Sequence, residues 1–104
     1  MILYEVNLVI RASIHAEYLA WLVAHIDEML TFPGFVSAEL LEPRDPPAPA
    51  GMRTLTVHYR LVDEASLARY FAEHAPRMRE EGLRRFGDGF SATRRVLAIE
   101  TPSR

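Results

Sequence analysis

The stretch that decides the fold runs from His74 to Phe90 and reads HAPRMREEGLRRFGDGF. Pro76 interrupts a helical pattern, because proline lacks the N–H that a helix interior needs but fits the first turn of a new helix. The restarted helix is predicted to end at Gly87, for which we expect a positive φ angle. A strand then begins at Phe90. The stretch therefore predicts a helix broken near Ala75, followed by the last strand of a sheet.

Three more strands are predicted upstream, from the alternation of apolar and polar residues, at Ile2–Ile10, Phe35–Leu41 and Arg53–Leu61. A helix lies between the first two strands, with Ser13 as its N-cap and its end near Leu30. Asp63 is predicted to cap the second helix. Residues 43–51 are rich in proline and predict an exposed loop, which we interpret as a connector, with a lid as the alternative.

The order strand-helix-strand-strand-helix-strand predicts an α+β fold. Right-handed crossovers leave a ferredoxin-like plait, one domain over residues 1–104, with a four-stranded antiparallel sheet in the order 4-1-3-2 and both helices on one face. The uncovered face is predicted to mix apolar and polar side chains: Leu3, Glu5, Asn7, Val9, Phe35, Ser37, Glu39, Leu41, Thr54, Thr56, His58 and Arg60. Such a half-apolar face is typical of a surface that a partner covers, so we expect a homodimer through it.

Composition excludes several classes of function. The net charge is −2, so no basic excess favours a nucleic-acid partner. Cysteine is absent, which excludes disulfides, thiolate nucleophiles and cysteine-zinc sites. No apolar run reaches the roughly 18 residues of a membrane span, and the N-terminus lacks the basic region of a signal peptide. We therefore expect a cytoplasmic protein without a membrane or nucleic-acid partner.

A set of residues around the broken helix resembles the signature of an uncharacterised bacterial family of domains of unknown function. The set comprises Glu73–Pro76, Arg79, Gly82, Leu83, Arg85–Gly87, Phe90, and Arg94 or Arg95. The strand Tyr4–Val9, the helix around Trp21 and the strand Phe35–Leu41 extend the resemblance over nearly the whole chain. It implies membership of the dimeric α+β-barrel group, in which two plaits pack sheet against sheet. That group contains cofactor-free monooxygenases, small isomerases, haem proteins and ligand-sensing domains, and a shared fold transfers none of these activities.

His58 is the candidate catalytic residue. It lies on the mixed face of the third strand, beside the first strand, where Glu5 or Asn7 could orient its imidazole as a general base. The alternative is a histidine of the dimer interface, paired with a neighbour. The residues predicted to bind a ligand are Tyr4, Asn7, Trp21, His58, Arg60 and His74.

The remaining aromatic and histidine residues have simpler interpretations. Trp21 and Tyr18 are typical of a core, although this edge near His25 could form the wall of a pocket between helix and sheet. His74 could bond a carbonyl that the Pro76 break frees. No spacing of the four histidines matches a metal site, so neither a metal nor a cofactor is predicted.

Three functions are compatible with these features. The first is a small non-catalytic or ligand-binding homodimer of unknown role. The second is a cofactor-free oxygenase or isomerase acting on a small organic substrate, with His58 as base and Tyr4, Asn7 and Arg60 as donors. The third is a purely structural interaction module. An enclosed cavity containing His58 and Arg60 would favour the enzyme.

Overall fold

A computed structural model describes residues 1–100 of the chain. Within that range the strands are β1 (Ile2–Arg11), β2 (Phe35–Leu41), β3 (Met52–Leu61) and β4 (Phe90–Ala98). The α-helices are α1 (His15–Met29), α2 (Glu64–Glu73) and α3 (Ala75–Phe86), and short 3-10 turns at Ala12–Ile14 and Gly87–Gly89 precede α1 and β4. None of the helices over residues 1–100 is both long enough and apolar enough to cross a membrane.

The strands form one antiparallel sheet in the order β2-β3-β1-β4. This is the predicted order read from the opposite edge, so the α+β ferredoxin-like fold is confirmed. The central pair, β1 and β3, keeps an unbroken register from Ile2–Leu61 to Arg11–Met52. The two central strands therefore fix which side chains share a face.

The hydrophobic core lies between the helices and one face of the sheet. The central strands contribute alternate residues to it, as the period of two predicts: Ile2, Tyr4, Leu8, Ile10, Leu55, Val57, Tyr59 and Leu61. The helices contribute Tyr18, Leu22, Met29, Leu67, Tyr70, Ala75 and Met78. The intervening strand residues lie on the opposite side of the sheet, which we call the open face.

Strand β2 departs from the prediction. The register shifts between Phe35, which pairs with Leu61, and Ser37, which pairs with Arg60, so Val36 is the extra residue of a bulge. One inserted residue reverses the alternation. Phe35 therefore packs in the core against the rings of Tyr59 and Tyr70, at centroid distances of 5.8 and 5.3 Å. Its predicted place on the open face is wrong, and Val36, predicted to be buried, is 52% exposed.

The predicted helix start at Ser13 is also wrong. Ser13 lies inside the 3-10 turn, and α1 begins at His15 without a side-chain cap. The cap at Asp63 is confirmed, because its Oδ1 accepts the backbone N–H of Ser66 at 2.8 Å. The first turn of α2 is therefore capped by a carboxylate. The first turn of α1 has no side-chain cap and continues directly from the 3-10 turn before it.

The helix break is confirmed. Helix α2 ends at Glu73, α3 begins at Ala75, and Pro76 occupies the first turn of α3. At the other end of α3, Gly87 has φ 54° and ψ −124°, and its N–H donates to the carbonyl of Leu83. Since this region of backbone angles suits glycine, Gly87 lets the chain reverse into β4.

Candidate functional site

A charged row crosses all four strands on the open face. Strand pairing places Glu39 opposite His58, His58 opposite Glu5, and Glu5 opposite Arg95. We call these four residues the charged row. At one end of it, Arg60 Nη2 lies 4.0 Å from Glu39 Oε1. Negative and basic side chains alternate along the row, so each has an oppositely charged or hydrogen-bonding neighbour on the next strand.

Glu5 is the centre of the charged row, and it is 7% exposed. Its carboxylate accepts hydrogen bonds from Arg95 Nε, from Asn7 Nδ2 at 2.9 Å and from His58 Nε2 at 2.9 Å. Thr56 Oγ1 in turn donates to Asn7 Oδ1 at 2.8 Å, which orients the amide. Hydrogen bonds to the carboxylate, the largest effect coming from Arg95 and the next from Asn7, lower the pKa of Glu5 from 4.5 to about 2. Burial alone would raise this pKa.

The Glu5 carboxylate determines the state of His58. An ionised carboxylate only accepts hydrogen bonds, so Nε2 of His58 carries a proton and a neutral ring leaves Nδ1 as an acceptor. The expected contact between these two residues is therefore present. The side chain of His58 is 25% exposed, so its second nitrogen is within reach of a partner or a ligand on the open face.

Acid should weaken the fold through Glu5. Because its pKa is lower in the folded protein, its contribution to stability is complete above pH 4.5 and is lost as the pH falls towards 2. We expect a loss of roughly 2 kcal/mol across this window, after screening by solvent at the exposed Arg95. Glu5→Gln should be less stable at pH 7 and should have a flatter profile, measured by urea unfolding at several pH values.

Glu39→Gln is the matched control for this measurement. It removes a carboxylate from the same row, but one that is 59% exposed and 4.0 Å from its arginine. Its unfolding profile should therefore follow that of the wild type. A Glu5→Gln profile that is as steep as the wild type between pH 5 and pH 2 would contradict the assignment.

A cavity of about 50 Å³ lies on the other side of the sheet, between the strands and helices α1 and α3. All four tyrosines of the chain line it, so we call it the tyrosine cavity: Tyr4, Tyr18, Tyr59 and Tyr70. Its wall also includes the only tryptophan, Trp21, together with His25, Arg79 and Arg94. Its lining combines aromatic rings with groups that can hydrogen-bond, as small-molecule sites do, but its volume is well below the roughly 300 Å³ at which such sites begin.

The tyrosine cavity has few side-chain hydrogen bonds, and within residues 1–100 the lining atom that is both buried and unpaired is Nδ1 of His25. Within residues 1–100, one side-chain hydrogen bond reaches a tyrosine hydroxyl: Arg79 Nη2 donates to Tyr4 Oη at 3.3 Å. Burial raises the pKa values of Tyr18, Tyr59 and Tyr70, so these phenols stay neutral. They can therefore donate hydrogen bonds to a ligand.

His25 is the other polar group of note in this cavity. Its ring stacks on Trp21 at a centroid distance of 4.7 Å. Its Nδ1 atom is buried and has no hydrogen-bond partner within residues 1–100. Burial lowers the pKa of His25, so the ring is neutral near pH 7. A neutral imidazole with an unpaired buried nitrogen can exchange a proton or a hydrogen bond with a bound molecule.

Gly82 makes room for the tryptophan that lines the cavity. A Cβ atom at this position of α3 would lie 3.1 Å from Trp21 Cη2 and 3.4 Å from the ring of Phe90. The absence of a side chain therefore lets α3 approach the Trp21 ring closely. A larger side chain would press the indole out of its present position.

The residues predicted to bind a ligand do not form one site. Tyr4 and Trp21 line the tyrosine cavity, whereas Asn7 and His58 lie on the open face. Arg60 shares that face with them. Strand alternation places Tyr4 on the opposite side of the sheet, so the predicted grouping of Tyr4 with Asn7 and Arg60 as donors in one pocket is wrong.

His74 belongs to neither set. It lies between α2 and α3, its ring stacks on Phe32 at 4.1 Å, and it makes no side-chain capping hydrogen bond. The sequence interpretation also missed Arg94, although its register opposite Val6 places it on the helix side of β4. An arginine at an inward position of an edge strand was the available signal.

Several solved structures share the fold. The chain is similar to a mutant of SnoaB, a cofactor-independent oxygenase from Streptomyces nogalater, at 17% identity and a TM-score of 0.71, covering 97% of this chain and 95% of that chain. It is similar to an antibiotic biosynthesis monooxygenase at 15% identity and a TM-score of 0.68, with 97% and 100% covered. It is also similar to the de novo designed protein Foldit4, at 10% identity and a TM-score of 0.62, with 95% and 98% covered. At these identities the likeness shows the fold alone.

The sequence itself identifies the family. No curated protein matches the chain. A family model described as a domain of unknown function, DUF4286, matches residues 1–100, which is nearly the whole chain. The resemblance expected from the residues around the broken helix is therefore confirmed, and the chain belongs to the DUF4286 family.

Proposed function

We propose that the protein is a small-molecule-binding homodimer whose ligand occupies the tyrosine cavity. The observation that carries this proposal is the buried, unpaired Nδ1 of His25 in the wall of a cavity lined by four tyrosines. Buried polar atoms in folded proteins are nearly always hydrogen-bonded. A bound molecule would supply the missing partner for this imidazole and could also accept hydrogen bonds from the phenols.

The cavity must widen to take an organic ligand. Its volume of about 50 Å³ is enough for water molecules, whereas a cavity that holds one benzene ring measures about 150 Å³. Arg79 and Arg94 line the cavity and are both exposed residues, so we expect their long side chains to be the part of its wall that moves most easily. Displacement of these side chains enlarges the cavity without disturbing the sheet.

The open face is the proposed dimer interface. Around the charged row it carries Leu3, Val9 and Leu41, the last of which is 38% exposed. A second copy presenting the same face would cover these side chains. His58 then takes the role of an interface histidine, paired with Glu5.

Ligand binding is testable with the intrinsic fluorescence of the protein, because Trp21 is the only tryptophan and lines the cavity. Small flat aromatic compounds should change its emission saturably and should appear as a mass increase in native mass spectrometry. Gly82→Leu should abolish binding by moving the indole, whereas Arg84→Leu adds the same side chain at an exposed position of α3 and should not. Absence of saturable binding at millimolar concentrations contradicts the proposal.

A cofactor-free oxygenase or isomerase is the second candidate. It is favoured by the neutral His25 in the cavity, and the structurally similar SnoaB is a cofactor-independent oxygenase. Either reaction starts with removal of a proton from the substrate, for which His25 in the cavity and His58 on the open face are the available bases. Oxygen uptake with small phenols should cease in His25→Gln and persist in His58→Gln if the cavity is the site. The reverse result would favour His58.

A further inference from the structure

We infer that the tyrosine cavity selects an aromatic anion, a single ring bearing a carboxylate or phenolate, whose charge is held by Arg79 and Arg94. This inference rests on the proposed function and names the ligand class for that site. Two arginines line the cavity from different elements, Arg79 from α3 and Arg94 from β4. Guanidinium groups approaching from two directions form a site suited to a planar anion.

Four arginines of residues 1–100 lack a carboxylate partner within 4.0 Å, namely Arg79, Arg84, Arg85 and Arg94, and of these Arg79 and Arg94 line the cavity. The other arginines of this part of the chain lie within 4.0 Å of an Asp or Glu oxygen: Arg11, Arg44, Arg53, Arg60, Arg69, Arg77 and Arg95. Arg79 instead donates to Tyr4 and lies over the ring of Phe71, 5.7 Å from its centroid. The cavity therefore carries positive charge that its own side chains leave unneutralised.

The rest of the lining determines the body of the ligand. Tyr4, Tyr18, Trp21, Tyr59 and Phe90 present rings to the cavity. Aromatic surfaces favour offset or edge-on contact with another ring. The carboxylates whose charge reaches His25, Glu28 and Glu81, lie outside the lining and are hydrogen-bonded to Arg77. A cation in the cavity would therefore meet the two guanidiniums without a carboxylate in contact. Tyr4 Oη accepts the hydrogen bond from Arg79, so its own O–H is available to donate to the anion.

The test compares benzoate with benzamide, which has the same ring and shape but no charge, by titration of Trp21 fluorescence in the full-length protein. Benzoate should bind at least about tenfold more tightly, because hydrogen bonds to a charged group are the stronger kind. Arg94→Gln and Arg79→Gln should each weaken benzoate binding by about tenfold and leave benzamide nearly unchanged. Cyclohexanecarboxylate should bind more weakly than benzoate, since it lacks the flat ring.

Arg84→Gln is the matched control, because Arg84 lies on α3 outside the cavity and should not affect either ligand. Equal binding of benzoate and benzamide, or equal effects of Arg94→Gln and Arg84→Gln, overturns the anion inference and leaves the cavity as a binding site. Failure of both ligands to bind overturns the proposed function itself. Thermal unfolding of each variant distinguishes lost binding from lost folding.

Discussion

Gly34→Ala should destabilise the protein by about 3 kcal/mol or more, because two penalties add at this position. Gly34 has φ 87°, a conformation that costs an L-residue about 1 to 2 kcal/mol. A Cβ atom there would also lie 2.2 Å from Ser66 Oγ and 2.3 Å from Ser66 Cβ. The overlap involves the first turn of α2, which Asp63 holds in place, so neither side can move freely.

Gly51→Ala separates the two penalties. Gly51 has φ 76°, but a Cβ atom at this position would meet nothing within 4 Å. This variant should therefore lose only the backbone term, about 1 to 2 kcal/mol. Chemical denaturation of the wild type and both variants measures the difference. Equal losses for Gly34→Ala and Gly51→Ala would contradict the predicted clash between the turn before β2 and helix α2.

Those parts of the fold that depend only on local sequence could be predicted. The alternation of β1 and β3, the Pro76 break and the Asp63 cap each depend on the residues themselves and their immediate neighbours. The face assignment of Phe35 failed because a bulge at Val36 reverses the alternation, and a bulge depends on how β2 pairs with β3. Strand pairing is a tertiary property that the strand's own pattern does not contain.

The candidate site was less predictable for the same reason. The neighbouring positions of β1 and β3 could be predicted from strand order, but the sequence left Glu5 and Asn7 open as partners of His58, and the register decides for Glu5. The tyrosine cavity depends on how closely α1 and α3 approach the sheet, including the space left at Gly82. A tyrosine or arginine at an inward position looks like an ordinary core or surface residue until the packing around it is known.

The two faces of the sheet suit different tasks because their chemistry differs. The helix side encloses rings and unpaired donors around a cavity, whereas on the open face the charges are already paired with one another through Glu5. Paired charges surrounded by apolar side chains can be buried against a protein surface at lower cost than unpaired ones. This difference is why the ligand and the second subunit are assigned to opposite faces.

The area of the open face is sufficient for a dimer. Four strands about 4.8 Å apart and about nine residues long, at about 3.3 Å per residue, give a face of roughly 550 Å². Two such faces would bury about 1,100 Å² in total, which is near the lower limit for specific protein interfaces. An interface of this size tolerates little disruption, so one unpaired charge at an apolar position should be enough to separate the subunits.

Val9→Glu should convert a dimer of the wild type into a monomer that remains folded. Val9 lies on the open face between Thr54 and Ser91, a row with no basic residue among these partners to neutralise a new carboxylate. Burial of that charge at the interface would cost several kcal/mol, which is a large fraction of the binding free energy of a small interface. In the monomer the same glutamate faces water and the core on the helix side is unchanged, so the melting curve should stay cooperative.

Sedimentation across a concentration series measures the oligomeric state, and Val23→Glu is the matched control. Val23 is 49% exposed on α1, so the same substitution there adds a charge without touching the open face and should leave the dimer intact. A wild type that stays monomeric at high micromolar concentration contradicts the dimer. Equal behaviour of Val9→Glu and Val23→Glu contradicts the assignment of the interface to the open face, because only the charge at Val9 would lie on that face.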